Sequence, residues 1–482
     1  MSKIPSNLGV KIMKYVNIFN IRLIGNLLRN TKFLNTVRIF LLLLFLYAII
    51  FGFINQTGEN IFTTGLFWGL FWPFFMIVSL ATFGRVFCMV CPHGFLVRIF
   101  TKIGLNKKLP KHFKNPLIGT GAIILLYWFI VYTFPGAFNK PVVTVLFFAF
   151  FTIAAAGISF VFSNGAYCKY FCPIGAISAA FSRVGFTWLS TNRSDCVKCK
   201  EHDCIFACPY KLNPVKFDDK NSMEECNLCM ECAAACKSVE WQVRKPGYSL
   251  YGKTPPESNS FEIWVYILIT GVITFAMYYT MGLSISNTGI GYFMPWVIIG
   301  NHLNSIFHFP NYVDMIGFSG LIMGILTSLF FALGGFYLAS WLLDVNFKDF
   351  FHTVGYGLAP IMIVGSLSHA LPFFFIKDFW AIVNGLHQAL FLNIHDIHIK
   401  PFAHPKYPWL VFFTIFQYIA GFWSLYLIYS RMKSFNITNG TKFKAAYIAA
   451  SSTVIIFIFL VLFQEYATIV YPPLHHLKMK MY

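Results

Sequence analysis

The chain has 482 residues, of which 57% are hydrophobic and 11% are charged, and its formal net charge is +19. Soluble globular proteins carry roughly a quarter charged residues, so this composition excludes a soluble enzyme and indicates a polytopic membrane protein. The positive charge does not indicate nucleic-acid binding. The basic residues lie in the gaps between apolar runs, where they meet anionic membrane lipid and set the topology.

The apolar runs are long enough to cross a bilayer, which takes about 20 helical residues, and they predict about nine spans. They cover approximately residues 39–56, 61–83, 117–135, 142–163, 262–282, 315–343, 352–376, 407–430 and 444–470. Two weaker stretches, 289–308 and 379–394, contain Asn, His or Gly and are predicted to lie in the interface or to re-enter the membrane. The basic N-terminal tail predicts that the N-terminus and residues 190–247 face the cytoplasm.

All twelve cysteines fall in short-spaced groups. Eight of them form the pattern C-x2-C-x4-C-x3-C-P followed by C-x2-C-x2-C-x3-C, over residues 196–236. This spacing is typical of cysteines that bind cubane iron–sulfur clusters. Structural zinc also uses C-x2-C pairs, but the C-x3-C steps, Pro209 and the tandem arrangement favour iron and sulfide. Disulfides are disfavoured because they rarely persist in a reducing cytosol.

The two cysteine runs predict two [4Fe–4S] clusters. In bacterial two-cluster ferredoxins the fourth cysteine of each run binds the other cluster. Site 1 is therefore predicted to consist of Cys196, Cys199, Cys204 and Cys236, and site 2 of Cys226, Cys229, Cys232 and Cys208. Four residues separate Cys199 from Cys204 where two are usual. This insertion bears on the assignment of Cys204 and on solvent access to site 1.

The four remaining cysteines lie in two similar turns. We call Cys88, Cys91, Cys168 and Cys172 the membrane-edge cysteines. G-R-V-F-C-M-V-C-P-H-G-F-L at 84–96 and Y-C-K-Y-F-C-P-I-G-A-I at 167–177 each follow the inner end of a predicted span, which indicates an internal duplication. Clustered thiols favour a redox or metal site, with His93 as a candidate further ligand. The alternative is a structural turn in which His93 makes ordinary hydrogen bonds.

These motifs resemble those of the membrane polyferredoxin family, which includes NapH of periplasmic nitrate reduction, NosR-type accessory proteins of nitrous oxide reduction and CcoG-type cupric reductases of oxidase assembly. The resemblance covers about residues 35–245 and rests on G-R-V-F-C..C-P, C-K-Y-F-C-P and the tandem ferredoxin run. It implies a protein of the bacterial inner membrane that transfers electrons at the cytoplasmic face, coupled to quinol or to a metal ion. The family usually has C-x3-C-P in both turns, whereas only Met89 and Val90 separate Cys88 from Cys91.

Histidines mark the C-terminal half. Ionisable residues within spans are costly and tend to be functional, and His352 and His369 share one predicted span. Paired transmembrane histidines commonly bind haem, so haem b is one candidate cofactor. Copper, another metal or a quinone pocket is a second candidate, and histidines without a cofactor are a third. The candidate ligands are His302, His308, His352, His369, His387, His395 and His398.

The predicted fold class is an all-α polytopic membrane protein with an inserted small α+β domain of the bacterial two-[4Fe–4S] ferredoxin type. The predicted division is a basic cytoplasmic N-terminal segment (1–38), a four-helix membrane domain (39–189), a cytoplasmic ferredoxin-like domain (190–247), a linker (248–261) and a histidine-bearing C-terminal membrane domain (262–482).

The predicted function is an electron relay between clusters at the cytoplasmic face and a membrane or outer-face partner, in respiration or metalloenzyme maturation. The partner is predicted to be the quinone pool, a haem, a metal or a redox protein, and the chain would be a component of an oxidoreductase. One alternative is a cupric or other metal-ion reductase that acts as an assembly factor. A second is a transporter or sensor whose clusters are structural or regulatory. Hydrolysis and phosphoryl transfer have no motif support.

Overall fold

The structure is a computed structural model, and it describes residues 16–192, 195–196, 199–217, 225–251, 260–280, 285–390, 399–404 and 407–471. Helices account for most of this part of the chain, and its strands form one small sheet. The long apolar segments of the sequence carry few charged residues. In a bilayer their backbone groups have to be satisfied within helices, because no water is there to bind them.

Seven helices in the described part of the chain are long and apolar enough to cross a membrane. They are Thr31–Ile54, Ile61–Phe83, Pro141–Val161, Ser260–Thr280, Met315–Leu343, Phe347–Ala389 and Pro408–Phe435. An eighth span is broken, because Gly440–Ala450 and Ser452–Ala467 meet at 55°. The predicted span 117–135 is a shorter apolar helix, Leu117–Thr133. The predicted fold class is confirmed, with seven or eight helices that meet the length requirement.

Shorter helices connect these spans and carry most of the cysteines. They include Arg22–Arg29, Val86–Val90, Pro92–Ile103, Tyr167–Phe171, Gly175–Phe181, Asp203–Phe206, Glu231–Ala235 and Pro295–Phe307. Pro92 opens one of them at its first turn, where a missing backbone donor costs nothing. The Cys91-Pro92 and Cys172-Pro173 steps therefore each separate two short helices.

The segment 379–394, expected to be interfacial or re-entrant, differs from that expectation over its described part. Phe379–Ala389 continues the helix Phe347–Ala389, which is 43 residues long. Pro372 lies inside it and a π turn, Phe374–Asp378, follows, so the helix passes the proline by rearranging its hydrogen bonds.

This second part of the long helix packs antiparallel against Ile61–Phe83. Gly65 lies against the backbone of Ala381, and Gly385 lies against Phe62. The polar residues that suggested an interface bind backbone groups here: Gln388 Oε1 accepts hydrogen bonds from the amides of Ile61 and Phe62 at 3.0 Å each. Packing between helices therefore outweighs the local polarity of the sequence.

The ferredoxin-type domain contains a three-stranded antiparallel sheet. Its strands are β1 (Val16–Asn17), β2 (Thr187–Thr191) and β3 (Val239–Val243), in the order β1-β3-β2. Residues 16–17, expected to belong to a separate basic tail, pair with Val243 and Gln242. The sheet therefore joins the N-terminal segment to both ends of the cysteine runs.

The two membrane halves share one hydrophobic core. Ser260–Thr280 is the most enclosed of the long helices, with 72% of its most apolar window buried. It contacts Met315–Leu343 on one side and Gly175–Phe181 on the other. Across the same boundary, the Tyr132 hydroxyl donates a hydrogen bond to the carbonyl oxygen of Val272 at 2.8 Å. The helices of both halves therefore form one continuous bundle, and the ferredoxin-type domain packs against it.

Candidate functional site

Site 2 is formed by the loop 226–232 and by Cys208. Leu228 and Met230 have left-handed backbone conformations, with φ of 49° and 64°, which curl the loop tightly between its cysteines. Every pair of thiols in this set lies close enough for electrostatic interaction. Cys226 and Cys232 are buried. The loop thus brings together the four side chains that the crossed pattern assigns to one cluster.

Site 1 brings Cys204 together with Cys196, Cys199 and Cys236. The inserted residues end in a left-handed turn at His202, with φ of 52°, and the His202 amide lies 3.4 Å from Cys199 Sγ as a hydrogen-bond donor. This turn accommodates the inserted residues, so the Cys204 thiol still lies beside the other three thiols of site 1. Cys199 is exposed whereas Cys204 is buried, which makes site 1 the more solvent-accessible of the two sites.

Several buried thiols of the two sites hold their protons tightly as long as no cation shares the pocket. Burial, with neighbouring thiolates as a second cause, raises the pKa of Cys226 to about 12 and of Cys204 to about 11. Burial also raises the pKa of Cys229 to about 11. Because thiolates are the ligands, binding of iron must displace these protons. The four cysteines of each site therefore fit an inorganic core with positively charged iron, which would compensate the negative charge of the thiolates.

The spacing of these side chains differs from that around one metal ion. In the described part of the chain, no three His, Cys, Asp or Glu side chains lie close enough to hold a single ion. A cubane cluster takes one thiolate on each of its irons, so its ligands stand further apart. The residues of sites 1 and 2 fit such a group in number, type and burial.

Two arginines of the N-terminal helices bind the backbone around these sites. The Arg29 guanidinium donates hydrogen bonds to the carbonyl oxygens of Ala233 and Val239 at 2.8 Å each, and to that of Cys236 at 3.2 Å. Arg38 is fully buried and donates to the carbonyl oxygen of Cys229 at 2.8 Å. Both residues place positive charge beside cysteines that become negative when they bind iron.

The membrane-edge cysteines lie at the two Cys-Pro turns and converge between them. Each of the four thiols interacts electrostatically with the other three. Cys88 Sγ of the first turn lies 3.7 Å from the Ser178 hydroxyl, which belongs to the helix after the second turn. Burial is the largest cause that raises the pKa of Cys168, to about 12. The duplication of the sequence therefore produces one shared site.

His93 lies beside these cysteines but has a hydrogen-bond partner of its own. Its Nε2 atom is 3.0 Å from the Thr152 hydroxyl, and its ring packs edge-on against Phe45. Burial lowers the pKa of His93 to about 4, so the imidazole is neutral at physiological pH. This arrangement favours the interpretation of His93 as a hydrogen-bonding residue in the wall of the site.

An apolar cavity opens next to the two turns. It has about 740 Å³ of space free of protein atoms, counting its open side. Both Cys-Pro steps and a set of aromatic rings line it; the lining includes Cys91, His93, Cys172, Phe67, Trp68, Trp72, Tyr127 and Phe148. Such a pocket suits the ring of a lipophilic ligand.

Among the described residues, no three histidines of the C-terminal half lie close enough to hold one metal ion. His352 lies in the short helix Phe347–Val354, and His369 lies in Ala359–Phe373 further along the same long helix. His302 is in Pro295–Phe307 and His308 caps that helix. His387 lies in Phe379–Ala389, whereas the predicted ligands His395 and His398 lie outside the described residues. Haem or copper binding in this half stays a prediction.

A buried ion pair joins the two halves where the ferredoxin-type domain meets the bundle. Arg183 Nε donates to Glu262 Oε1 at 2.7 Å, and the Tyr356 hydroxyl donates to Glu262 Oε2 at 2.5 Å. Arg431 lies over the Tyr356 ring at 4.9 Å. Charges buried this deeply persist only with such partners.

The fold and these sites define a membrane iron–sulfur electron-transfer protein. A family model described as "4Fe-4S binding domain" matches residues 64–112 and 144–194, and a model described as "Yip1 domain" matches residues 256–463. The first match contains the four membrane-edge cysteines and stops before Cys196. The chain is 34% identical over 180 residues to the uncharacterized protein MJ0750 of Methanocaldococcus jannaschii, which covers 34% of this chain and 73% of that protein. The chain belongs to the family of MJ0750.

Two further relatives match. The uncharacterized protein MJ0749 of the same archaeon is 28% identical over 201 residues, which is 40% of this chain and 76% of that protein. YccM of Escherichia coli K12, provisionally named an electron transport protein, is 23% identical over 237 residues, which is 42% of this chain and 63% of YccM. No solved structure matches. The family model and the similarity to YccM support a membrane iron–sulfur electron-transfer protein.

The sequence did not reveal Arg29, Arg38, Arg183 or Tyr210 as part of the site. The three arginines look like the basic residues that set topology, because a charge beside a span is the expected pattern. Tyr210 follows the Cys208-Pro209 step, and only the fold shows that its side chain lies beside Cys168. Its position two residues after a cysteine of the ferredoxin pattern was the one available signal.

Proposed function

We propose that the chain relays single electrons between a soluble partner at the cytoplasmic face and a lipophilic quinone within the membrane. Two [4Fe–4S] clusters, held by the cysteines of site 1 and site 2, would carry the electrons. The chain would lie in the cytoplasmic membrane with its ferredoxin-type domain on the inner side, as its basic N-terminal segments indicate.

The observation that carries this proposal is that the four cysteines of site 1 are more exposed to solvent than the four cysteines of site 2. Site 1 has the exposed Cys199, and the neighbouring Phe206 is 84% exposed, so a soluble redox partner can approach it closely. Site 2 lies deeper, because two of its thiols, those of Cys226 and Cys232, are buried and none is exposed. These two residues and Cys204 of site 1 share a hydrophobic core with Met89 of the first Cys-Pro turn. Cys204 of site 1 and Cys232 of site 2 interact electrostatically, so the two sites adjoin.

The apolar cavity supports a quinone as the membrane partner. Its lining is aromatic, it lies beside the two Cys-Pro turns, and it includes the His93 side chain, which is hydrogen-bonded to Thr152. A quinone ring needs an apolar slot, and this cavity provides one.

Electron transfer across the protein in lipid nanodiscs tests the relay. Reduced methyl viologen is added as soluble donor and a short-chain quinone as acceptor under anaerobic conditions, and quinone reduction is followed optically. We expect protein-dependent quinone reduction by the wild type. Replacing Cys199→Ser removes a ligand of the entry site, so quinone reduction should fall at least tenfold and about four irons per chain should be lost.

The matched control is Lys200→Ser, which places a serine at the neighbouring exposed position without removing a thiol. It should keep the iron content and the rate of the wild type. Equal rates for Cys199→Ser and Lys200→Ser would contradict the relay and would favour clusters with a structural role.

A further inference from the structure

Another pocket lies where the ferredoxin-type domain meets the membrane helices. It has about 400 Å³ of space free of protein atoms, counting its open side. Its lining includes Arg85, ahead of the first Cys-Pro turn, Lys169 of the second turn, Glu225 at the loop of site 2 and Phe261 of the helix Ser260–Thr280. We call it the polar pocket. Parts of the chain that are distant in sequence thus meet around one space.

The charge of the polar pocket is positive. Among the residues that the structure describes, its lining includes two cationic side chains, Arg85 and Lys169, and one carboxylate, Glu225. Arg85 is 2% exposed. Lys169 Nζ donates a hydrogen bond to Glu225 Oε2 at 2.7 Å, but the Glu225 side chain is 45% exposed and that of Lys169 only 14%, so water screens the carboxylate more than the ammonium group. This lining suits an anion.

The side chains of the lining also suit an anion with several oxygen atoms. A guanidinium has five N–H donors in a planar fork and an ammonium group has three donors, and these two groups bind phosphate through charge-assisted hydrogen bonds. Asn227, which is buried, adds a side-chain amide to the same lining. The pocket therefore combines buried positive charge with donors from three side chains.

The apolar part of the lining places the pocket at the membrane surface. Pro116 directly precedes the apolar helix Leu117–Thr133, and Phe261 is the second residue of Ser260–Thr280. The end of an apolar spanning helix lies where lipid headgroups meet the hydrocarbon core. Basic pockets between membrane helices at this level bind the headgroups of anionic lipids.

We propose that the polar pocket binds one phosphate group, either the headgroup phosphate of an anionic phospholipid or free phosphate. Arg85 and Lys169 would hold its oxygen atoms. If the phosphate belongs to a lipid, Pro116 and Phe261 would contact the part of the lipid that continues into the hydrocarbon core.

Arg85 also connects the pocket to site 2. It lies close enough to the thiols of Cys226 and Cys168 to interact with both electrostatically. An anion bound beside Arg85 offsets part of this positive charge. A cluster in site 2 becomes more negative when it takes up an electron, so the anion should bind less tightly to the reduced protein. This step rests on the proposed function. By linkage, the bound anion makes the reduction potential of that cluster more negative.

Lipid retention by the full chain tests the site. The protein is purified anaerobically in detergent with added phosphatidylglycerol, and native mass spectrometry counts the lipids that stay bound. We expect one tightly held phosphatidylglycerol per wild-type chain, and about tenfold weaker retention in Arg85→Gln and in Lys169→Gln, because each variant loses a charged donor. The zwitterionic phosphatidylcholine should be retained less well than phosphatidylglycerol by the wild type.

The matched control is Lys108→Gln. Lys108 is an exposed lysine of the loop before Leu117, and it does not line the pocket. The variant loses the same charge as Lys169→Gln but should retain phosphatidylglycerol like the wild type. Equal retention by Arg85→Gln, Lys169→Gln and Lys108→Gln would overturn the site, as would equal retention of the two lipids by the wild type.

Inorganic phosphate distinguishes the two sources of the ligand. Its binding to delipidated protein is measured by equilibrium dialysis. Phosphate binding that Arg85→Gln weakens assigns free phosphate as a ligand of the pocket. Retention of phosphatidylglycerol without any binding of inorganic phosphate assigns the lipid headgroup. If neither probe binds, the proposal is wrong.

Ala179→Leu keeps the test independent of the buried charge. Ala179 lines the pocket from the helix Gly175–Phe181, so a larger side chain fills the space without changing any charge. This variant should keep the iron content of the wild type but lose the bound lipid. Unchanged retention of phosphatidylglycerol by Ala179→Leu would contradict binding in this pocket.

Redox titration of site 2 in lipid nanodiscs measures the coupling. The reduction potential of the wild type should be more negative in phosphatidylglycerol than in phosphatidylcholine. In Ala179→Leu this difference should shrink to the part caused by the surface potential of the anionic membrane. An equal difference in both proteins would refute the coupling between pocket and cluster. Wild-type protein that retains the lipid but contains no iron would instead refute the proposed function and leave the lipid site standing.

Discussion

Individual side chains in this protein compensate for the charge that clusters would bring. Arg38 has no exposed surface, yet it carries a full positive charge among the carbonyl oxygens of Met89 and Cys229. Glu231 balances it at 3.6 Å. Such a residue has two effects: it stabilises the fold, and it raises the reduction potential of a nearby cluster. The second effect arises because positive charge favours the reduced cluster, which is the more negative state.

Replacing Arg38→Gln is therefore expected to have two effects. It leaves two buried carbonyl oxygens poorly satisfied, which should cost about 3 kcal/mol, so the temperature at which cluster absorbance is lost should fall. It also removes a positive charge beside site 2, so the reduction potential of that cluster should become more negative while that of site 1 changes less. Thermal bleaching and redox titration measure the two effects.

The control for Arg38 is Lys32→Gln. Lys32 lies on the same helix and carries the same charge, but it is exposed and its charge is screened by water and salt. The Lys32→Gln variant should leave the bleaching temperature and the reduction potentials of both clusters near the wild-type values. If Lys32→Gln and Arg38→Gln behave alike, the role assigned to the buried contacts of Arg38 is wrong.

At the scale of elements, glycines let helices approach the cysteine turns closely. A Cβ atom at Gly119, in the helix Leu117–Thr133, would overlap the carbonyl oxygen of Cys172. No ordinary side chain fits there. The second turn is therefore positioned by direct contact between its backbone and this helix. The contact gives the helix a structural role although it is short for a membrane span.

Gly119→Ala should displace the second turn. Overpacking of a tight contact costs about 1–3 kcal/mol, and the displaced carbonyl belongs to a membrane-edge cysteine. We expect a lower temperature for the loss of cluster absorbance. Gly121→Ala is the matched control, because no atom lies within 4 Å of its added Cβ. Identical thermal curves for these two variants would show that the close approach is unimportant.

Elements could be predicted from the sequence where one physical pattern dominated. The apolar runs predicted the membrane spans, because the hydrocarbon core of a bilayer tolerates only helical segments in such a protein. The spacing of the eight ferredoxin-type cysteines predicted that they belong to one small domain. The pairing of Val16–Asn17 with β3 was missed, because a two-residue strand has no periodicity. The course of Phe379–Ala389 was missed because Asn384 and Gln388 look interfacial until their partners on other segments are known.

At the scale of the whole molecule, the N-terminal and C-terminal halves are held together by more than apolar packing. Glu262 lies at the start of Ser260–Thr280, the helix at the centre of the bundle, and it is fully buried. It receives a hydrogen bond from Arg183, which follows the second Cys-Pro turn, and another from Tyr356 of the C-terminal half. The pair thus links the electron-transfer unit to the segment matched as a Yip1 domain.

No local pattern of the sequence could have predicted this link. Arg183 and Glu262 are 79 residues apart, and each looks like a charge at the end of a span. The partner of a buried charge is set by tertiary packing, so it becomes visible only once the helices are placed. For the same reason the sequence could not say whether the histidines converge.

Glu262→Gln should weaken the joint between the halves. It removes the carboxylate charge that Arg183 Nε contacts, and breaking a buried ion pair by removing one partner is expected to cost about 3–5 kcal/mol. The thermal unfolding midpoint of the detergent-solubilised protein should fall markedly, while Glu201→Gln, at an exposed position of the ferredoxin-type domain, should leave it unchanged. The double variant Arg183→Met/Glu262→Leu removes both charges and should be less destabilised than Glu262→Gln, because replacing a buried pair by apolar side chains is often nearly neutral. A double variant that is less stable than Glu262→Gln would mean that the pair itself, and not the unpaired charge, determines how the halves are joined.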